Sequence, residues 1–272
     1  MRDARRRNRN IGTGKSGHGQ DNRLVVPEPW ADARRFWERI RKPVLVERTV
    51  CGQALPFVVE APRPPFLHPC TVDDLAELID LLPSSDIRGI AFVALRQPTK
   101  KQALLSLVWG RLVYHAEVAG LSGPALILEA QRFPGSVRWP KSLQPWDAAE
   151  LDLLRSDGHI VSDEVRFYRV ASEPTAMRAT QLFRTVPHEV GHYLDYRQRV
   201  LDTRSSEQEF KRNLDLFWSR PAREREEFAD RYAREFRDKR VSRVPFPHRF
   251  DAVRIKRDGL EPAWFQASRA AA

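Results

Sequence analysis

The stretch HEVGH at residues 188–192 carries two histidines four positions apart, with a glutamate directly after the first. Residues four apart lie on one face of an α-helix, so both imidazoles can reach the same metal ion. Glu189 directly follows the first histidine, so its side chain points toward the metal site without occupying a ligand position. A carboxylate there can hold a metal-bound water and deprotonate it. The spacing therefore predicts a helix that presents His188 and His192 as metal ligands and Glu189 as a catalytic base.

A catalytic zinc ion usually binds three protein side chains and one water, so a further ligand has to come from elsewhere in the chain. The metzincin pattern would place glycine and histidine where this sequence has Asp195 and Gln198, and it therefore does not apply. The remaining common choice is a carboxylate from a later helix. The segment EEFAD offers Glu226 for this purpose, with Glu227 and Asp230 as competitors.

The residues that follow Glu226 suit a helix packed against the histidine helix. Ala229 and Ala233 are small, and they lie one turn apart, so two helix backbones can approach closely along this face. If Glu226 is the ligand, Asp230 lies one turn further on, where it can orient a histidine ligand from behind. An ion pair between Asp230 and Arg234 is an equally good explanation of that aspartate.

The pattern of apolar residues predicts a sheet followed by helices. Thr71 is a predicted N-cap for a helix that stops before Pro83, and Gly89–Arg96 is apolar enough for a buried strand. Pro187 should kink the histidine helix or begin a new one capped by Thr185. Strands followed by segregated helices indicate an α+β fold. Further strands are predicted at 56–60, 104–109, 111–118, 124–130, 164–170 and 253–255, and further helices at 32–41, 148–154, 175–200, 206–220 and 222–239.

The combination of HEVGHYLDY with EEFADRYA resembles the gluzincin-type zinc metallopeptidases, and it is most similar to anthrax lethal-factor-like catalytic domains. The resemblance covers about residues 180–236. It implies a zincin-like fold, in which a mixed β-sheet precedes an active-site helix and a glutamate-bearing helix. It also implies that His188, His192 and Glu226 bind Zn²⁺ and that Glu189 is the catalytic base.

One position departs from the pattern of those domains. They have a tyrosine seven residues before the ligand glutamate, which stabilises the oxyanion, whereas this chain has Ser219 there. Tyr196, Tyr232, Tyr168 or His159 are possible substitutes. Without a substitute, the departure implies weak activity or none.

Positive charge is concentrated at the N-terminus. Residues 1–23 contain seven Lys and Arg residues and two Asp residues, so they contribute half of the net charge of +10. Few apolar residues accompany them, which predicts a disordered basic tail with possible affinity for nucleic acid. The rest, 24–272, is predicted to be a single domain, with helix and mixed sheet at 24–170, the helical active-site part at 171–240 and a C-terminal extension at 241–272.

These features predict a zinc-dependent metallopeptidase that hydrolyses peptide bonds of a peptide or protein substrate. An extended substrate should pair with an edge strand, for which Pro124–Ala130 and Glu164–Val170 are the candidates. The alternative is a nucleic-acid-associated regulatory protein with a degenerate, non-catalytic zincin domain. No apolar run is long enough to span a membrane and no secretory signal is visible, so a cytoplasmic location is expected.

Overall fold

A computed structural model describes residues 11–13, 16–17, 35–99, 102, 108–240 and 248–266. The chain divides into two compact units, Met1–Arg35 and Phe36–Ala272. In the first unit, strands β1 (Ile11–Thr13) and β2 (Ser16–Gly17) pair in parallel. Most of the predicted basic tail, most of the predicted strand at 104–109 and much of the predicted C-terminal extension lie outside the described residues.

The second unit contains a mixed five-stranded sheet with the order β3-β4-β6-β8-β7. The three inner strands run parallel, and the outer β3 and β7 are each antiparallel to their neighbour. The sheet and the helices that follow it are consistent with the predicted α+β class. The strands of this part of the chain are β3 (Val44–Val50), β4 (Gln53–Val59), β5 (Phe66–Leu67), β6 (Phe92–Arg96), β7 (Gly110–Val118), β8 (Leu121–Glu129) and β9 (Gln131–Arg132).

A smaller three-stranded sheet follows, built from β10 (Ser136–Pro140), β11 (Ile160–Asp163) and β12 (Phe167–Ala171). Strand β12 lies between β10 and β11, and β8 lies between β6 and β7. The prediction that 124–130 or 164–170 forms a sheet edge is therefore wrong. Alternation of apolar residues shows which face of a strand is buried, but it does not show whether the strand has one neighbour or two. The edge beside the histidine helix is β7.

The predicted helix behind Thr71 is confirmed as α1 (Val72–Asp80), where the Thr71 hydroxyl accepts a hydrogen bond from the Asp74 amide and the Asp74 carboxylate accepts one from the Thr71 amide. Residues 36–38 form only a turn, so the predicted helix at 32–41 is wrong for the part described. The predicted strand at 253–255 is also wrong, because Asp251 caps a short helix there. The other helices are α2 (Ser84–Ile87), α3 (Pro145–Ser156), α4 (Pro174–Ala179), α5 (Val186–Tyr196), α6 (Glu207–Ser219), α7 (Ala222–Arg240) and α8 (Ala252–Arg257), and Pro262–Trp264 forms a 3₁₀ turn.

Helices α4 and α5 are joined without a break by a π-helical segment, Thr180–Thr185. There the amide of Val186 donates to the carbonyl of Gln181, five residues back. Thr185 has helical torsion angles and no capping hydrogen bond, so the prediction of a new helix capped by Thr185 is wrong. The wider π turn accommodates Pro187, which has no amide hydrogen to donate to an α-helical ladder. A second π-helical segment, Arg197–Leu201, extends α5 at its end.

Helix α5 packs on one face of the large sheet. Val186 and Val190 are fully buried in the same apolar cluster as Val93 and Leu128, which belong to β6 and β8. Because the apolar side of α5 faces the sheet, its polar residues face away from the core, toward β7 and α7. None of the helices in the described part of the chain combines the length and apolar composition needed to cross a membrane.

Candidate metal centre

The two histidines of HEVGH lie on one face of α5, as their spacing predicts. Their Nε2 atoms are 3.0 Å apart. Glu226 on α7 brings Oε2 to within 3.4 Å of the Nε2 atom of His188 and 3.5 Å of that of His192. In the described part of the chain, His188, His192 and Glu226 are the group whose ligand atoms could hold one metal ion.

These distances allow a direct test of whether the residues fit zinc. Zinc bonds to imidazole nitrogen and carboxylate oxygen are about 2.0–2.2 Å long, so the ligand atoms of a tetrahedral site are about 3.3 Å apart. The three separations of 3.0, 3.4 and 3.5 Å cluster around that value. Two nitrogens and one oxygen also match a common donor set of catalytic zinc, which leaves a fourth position for water. The three side chains therefore fit the metal without rearrangement.

A close helix contact places Glu226 at this distance. A Cβ atom added to Gly191 on α5 would lie 2.9 Å from the Cα atom of Ala229 on α7. Ala229 is fully buried and Ala233 nearly so. Since Gly191 and Ala229 face each other at the crossing, the two backbones approach closely enough for a glutamate on α7 to reach the imidazoles on α5.

Asp230 contacts the histidine from the far side. Its Oδ1 atom lies 3.0 Å from Nδ1 of His188. In the neutral imidazole that binds a metal, this contact places the hydrogen on Nδ1 and leaves the lone pair on Nε2. The sequence spacing also allows an ion pair between Asp230 and Arg234. In the described part of the chain, Asp230 contacts His188 instead.

The electrostatics of the group favour a positive charge between its carboxylates. Burial lowers the pKa of His188, but the hydrogen bonds with Asp230 and then Glu226 outweigh it and raise that pKa to about 10. Hydrogen bonds from His188 and then His192 hold the pKa of Glu226 well below its usual range. A divalent cation would occupy the place where these groups stabilise positive charge.

Glu189 lies beside the ligand group and against the edge of the sheet. Its Oε2 atom accepts a 2.6 Å hydrogen bond from the amide of Leu112, in β7. Burial raises the pKa of Glu189, and the nearby His188 and His192 oppose that shift. One carboxylate oxygen is therefore fixed by the strand, and the carboxylate is positioned independently of the metal ligands.

Two acidic residues near the ligand group, Glu227 and Asp195, form ion pairs with arginines instead. Glu227 is exposed and pairs with Arg223 at 2.7 Å, on the outer side of α7. Asp195 is buried and binds both Arg199 at 2.6 Å and Arg220 at 2.7 Å. Arg220 lies two residues before α7 begins at Ala222, so its pair with Asp195 connects the start of the glutamate helix to the histidine helix.

The four predicted substitutes for the oxyanion tyrosine differ in their surroundings. The Tyr232 hydroxyl donates to Asp86 at 2.8 Å, which ties it to α2. His159 is buried with Nε2 3.1 Å from the hydroxyl of Thr180. Tyr168 belongs to the separate small sheet. The ring of Tyr196 is buried in an aromatic cluster at the end of α5.

The structure adds a tyrosine that the sequence reasoning missed. Tyr114 lies two residues after Leu112 in β7, and its ring contacts Tyr196 with centroids 4.6 Å apart. Burial raises the pKa of Tyr114, and the charge of Glu189 raises it further. Strand periodicity was the available signal, because residues two apart share a face, but it becomes useful only once β7 is known to adjoin α5.

Comparison of the chain with protein-family models, with curated protein sequences and with solved structures gives no significant match. The function is therefore inferred from the geometry of the site itself.

Proposed function

We propose that this protein is a zinc-dependent metallopeptidase of the gluzincin type, with Zn²⁺ bound by His188, His192 and Glu226. The observation that carries the proposal is the triangle of ligand atoms with separations of 3.0–3.5 Å. The group in the described part of the chain has three ligands, which leaves a position for water, and Glu189 directly follows the first of them. Both features support a catalytic site rather than a purely structural one.

Zinc bound at this site would polarise a substrate carbonyl and make a water molecule acidic enough to react near neutral pH. The Glu189 carboxylate would take a proton from the water that attacks the peptide carbonyl carbon, and would then give this proton to the departing amine. The hydrogen bond from Leu112 holds Glu189 in place through both transfers. Asp230 keeps His188 in the tautomer and orientation that ligation requires.

The substrate chain would bind along β7. This strand pairs with β8 on one side only in the described part of the chain, and it borders the ligand group. An extended peptide can add to such an edge through main-chain hydrogen bonds. Tyr114, on the same strand, is then the residue best placed to donate a hydrogen bond to the oxyanion in the role that Ser219 cannot fill.

The proposal predicts that the purified protein contains about one equivalent of zinc and cleaves unstructured polypeptides such as casein. Glu189→Gln should keep the zinc and lose turnover by a factor of at least about a thousand, because it removes the proton carrier but no ligand. His188→Ala should lose the zinc and the activity together. Wild-type turnover by Glu189→Gln would refute the mechanism.

A second candidate, a regulatory protein that binds nucleic acid through its tail and has a non-catalytic zincin domain, is favoured by the serine at position 219. The Ser219 hydroxyl is exposed and donates to the carbonyl of Leu216, at the end of α6. This candidate predicts zinc without proteolysis, and DNA binding that is lost when residues 1–23 are deleted. Proteolysis that survives the deletion would exclude it.

A further inference from the structure

A cavity of about 790 Å³ lies next to the N-terminal end of β7. Its lining includes four arginines and one acidic residue, so it has an excess of positive charge. The arginines are Arg63, Arg111, Arg132 and Arg138, and the acidic residue is Glu129. A cavity of this size falls within the range of specific ligand sites. None of the three candidate metal ligands lines it.

The floor of the cavity contains charged groups that are deeply buried. Glu129 is 2% exposed and pairs at 2.7 Å with Arg96, which is equally buried behind it. Arg111 reaches the same Glu129 oxygen at 3.5 Å. Within the described residues, Oε2 of Glu129 and Nε of Arg111 are buried and have no hydrogen-bond partner.

Such unpartnered atoms are rare in protein interiors, because a buried polar group that loses its water without gaining a partner destabilises the fold. The floor has an acceptor at Glu129 and a donor at Arg111, and both line the cavity. A ligand that satisfies both must offer a donor and an acceptor close together. A peptide main chain does so at every residue, whereas a simple anion offers acceptors alone.

The rim carries the positive charge. Arg63, Arg132 and Arg138 are exposed, and no carboxylate in the described part of the chain forms an ion pair with any of them. Arg138 instead stacks over the ring of Phe167 at 4.7 Å, which holds its guanidinium in place. Exposed guanidinium groups without an acidic partner can bind a carboxylate through bidentate hydrogen bonds.

The cavity lies where a peptide paired with β7 would extend past the start of that strand. Arg111 lines it and is the residue before Leu112, whose amide binds Glu189. Val108 also lines it, four residues before Leu112. At about 3.3 Å per residue, a peptide paired with β7 would reach the cavity within about four residues of the bond that faces Glu189.

We propose that this cavity is a specificity subsite that binds a carboxylate of the peptide substrate, so that the enzyme selects acidic sequences. The carboxylate contacts Arg132 and Arg138 at the rim, and the peptide main chain binds Glu129 and Arg111 on the floor. The acidic residue lies within four positions of the cleaved bond and on one side of it only. This inference rests on the proposed peptidase function.

The test uses the zinc-loaded full chain and quenched-fluorescence peptides in which glutamate or glutamine is placed singly at each of four positions on either side of the cleaved bond. We expect a ratio of kcat/KM for glutamate over glutamine of about tenfold or more on one side, since each 1.4 kcal/mol is a factor of ten. A second series with a free or an amidated C-terminus separates a side-chain carboxylate from a terminal one.

The double variant Arg132→Gln with Arg138→Gln should reduce that ratio to near one while cleaving the glutamine peptides as well as wild type does. The control is Arg155→Gln, which removes an exposed arginine of α3 that pairs with Asp152 and does not line the cavity. The same loss of preference in the control would show that net charge alone is responsible. A missing preference in wild type, or one that persists in the double variant, overturns the proposal.

Direct binding separates a failure of the subsite from a failure of the peptidase. The Glu189→Gln protein is titrated with fluorescein-labelled penta-glutamate and penta-glutamine by anisotropy, which needs no turnover. Preferential binding of penta-glutamate that the double variant loses supports the subsite even when wild type cleaves nothing. Equal binding of both peptides overturns it even when wild type is an active peptidase. Binding of a DNA oligonucleotide through the same two arginines, in preference to penta-glutamate, also overturns it.

Discussion

Replacing Gly191 by alanine tests whether the spacing of two helices creates the metal site. The added Cβ atom would lie 2.9 Å from the Cα atom of Ala229, 3.1 Å from Cβ of Tyr232 and 3.2 Å from the carbonyl oxygen of Ala229. Ordinary carbon–carbon contacts are about 3.5–4.0 Å, so α7 has to retreat by about 0.6–1 Å. No rotamer change relieves this overlap, because the nearest atom belongs to the backbone.

Glu226 moves with α7, since it lies one turn before Ala229. Its Oε2 atom is now 3.4 and 3.5 Å from the two imidazole nitrogens, and the retreat lengthens these separations to about 4 Å. Zinc tolerates only about 0.2 Å of error in its bonds. We therefore expect the zinc affinity of Gly191→Ala to fall by about tenfold to a hundredfold, in the range seen when groups supporting a metal site are removed. Helix α5 itself should form well, because alanine favours a helix by about 1 kcal/mol over glycine.

The assay is competition for zinc against a chromophoric chelator, together with thermal unfolding followed by circular dichroism. The matched control is Val190→Ala, the neighbouring residue on the same helix, which is fully buried against the sheet. It should cost about 2 kcal/mol of stability but leave the spacing of α5 and α7, and hence the zinc affinity, unchanged. Zinc binding by folded Gly191→Ala as tight as in wild type would refute the reasoning.

Three further predictions concern single side chains. Asp230→Asn should weaken zinc binding by about tenfold, because His188 loses the carboxylate that fixes its tautomer; chelator competition measures this. Tyr114→Phe should lower kcat by about a hundredfold at unchanged KM and zinc content, as expected for loss of an oxyanion donor; steady-state kinetics measure this. Stability should fall between pH 6.5 and 4 because burial lowers the pKa of His68 from 6.5 to about 4, so only the unfolded chain takes up a proton there; urea titrations across this range should show a loss of about 3 kcal/mol.

Each of these predictions has its own control. Glu227→Gln, on the outer side of α7, should leave zinc affinity unchanged. An equal loss of zinc affinity in Glu227→Gln and Asp230→Asn would contradict the role given to Asp230. An unchanged kcat in Tyr114→Phe would mean that another group stabilises the oxyanion. In His68→Gln the glutamine amide can still donate to the carbonyl of Glu60, which His68 contacts at 2.8 Å, without titrating. This variant should therefore lose the share of the pH dependence that His68 contributes. A dependence of stability on pH as steep as in wild type would contradict the role given to His68.

Local patterns in the sequence predicted the elements that carry the site. The spacing of His188 and His192 placed both on one helix face, and helical periodicity repeats every few residues along the chain itself. Thr71 was predicted correctly as a cap because a capping hydrogen bond joins residues three apart. The strand predicted at Gly89–Arg96 from its apolar run is present over Phe92–Arg96. In each case the interacting groups are close in sequence.

The sequence by itself determined which side chains can bind a cation and which helix presents two of them. Only the tertiary structure decided that β7, not β8 or β12, is the edge beside that helix, that Leu112 holds Glu189, and that Tyr114 and the arginine-lined cavity lie along the same strand. It also decided that Asp230 faces His188 and not Arg234. The physical reason is that strand pairing and helix crossing join residues far apart in the chain, and their choice depends on which surfaces bury each other, which no local pattern records.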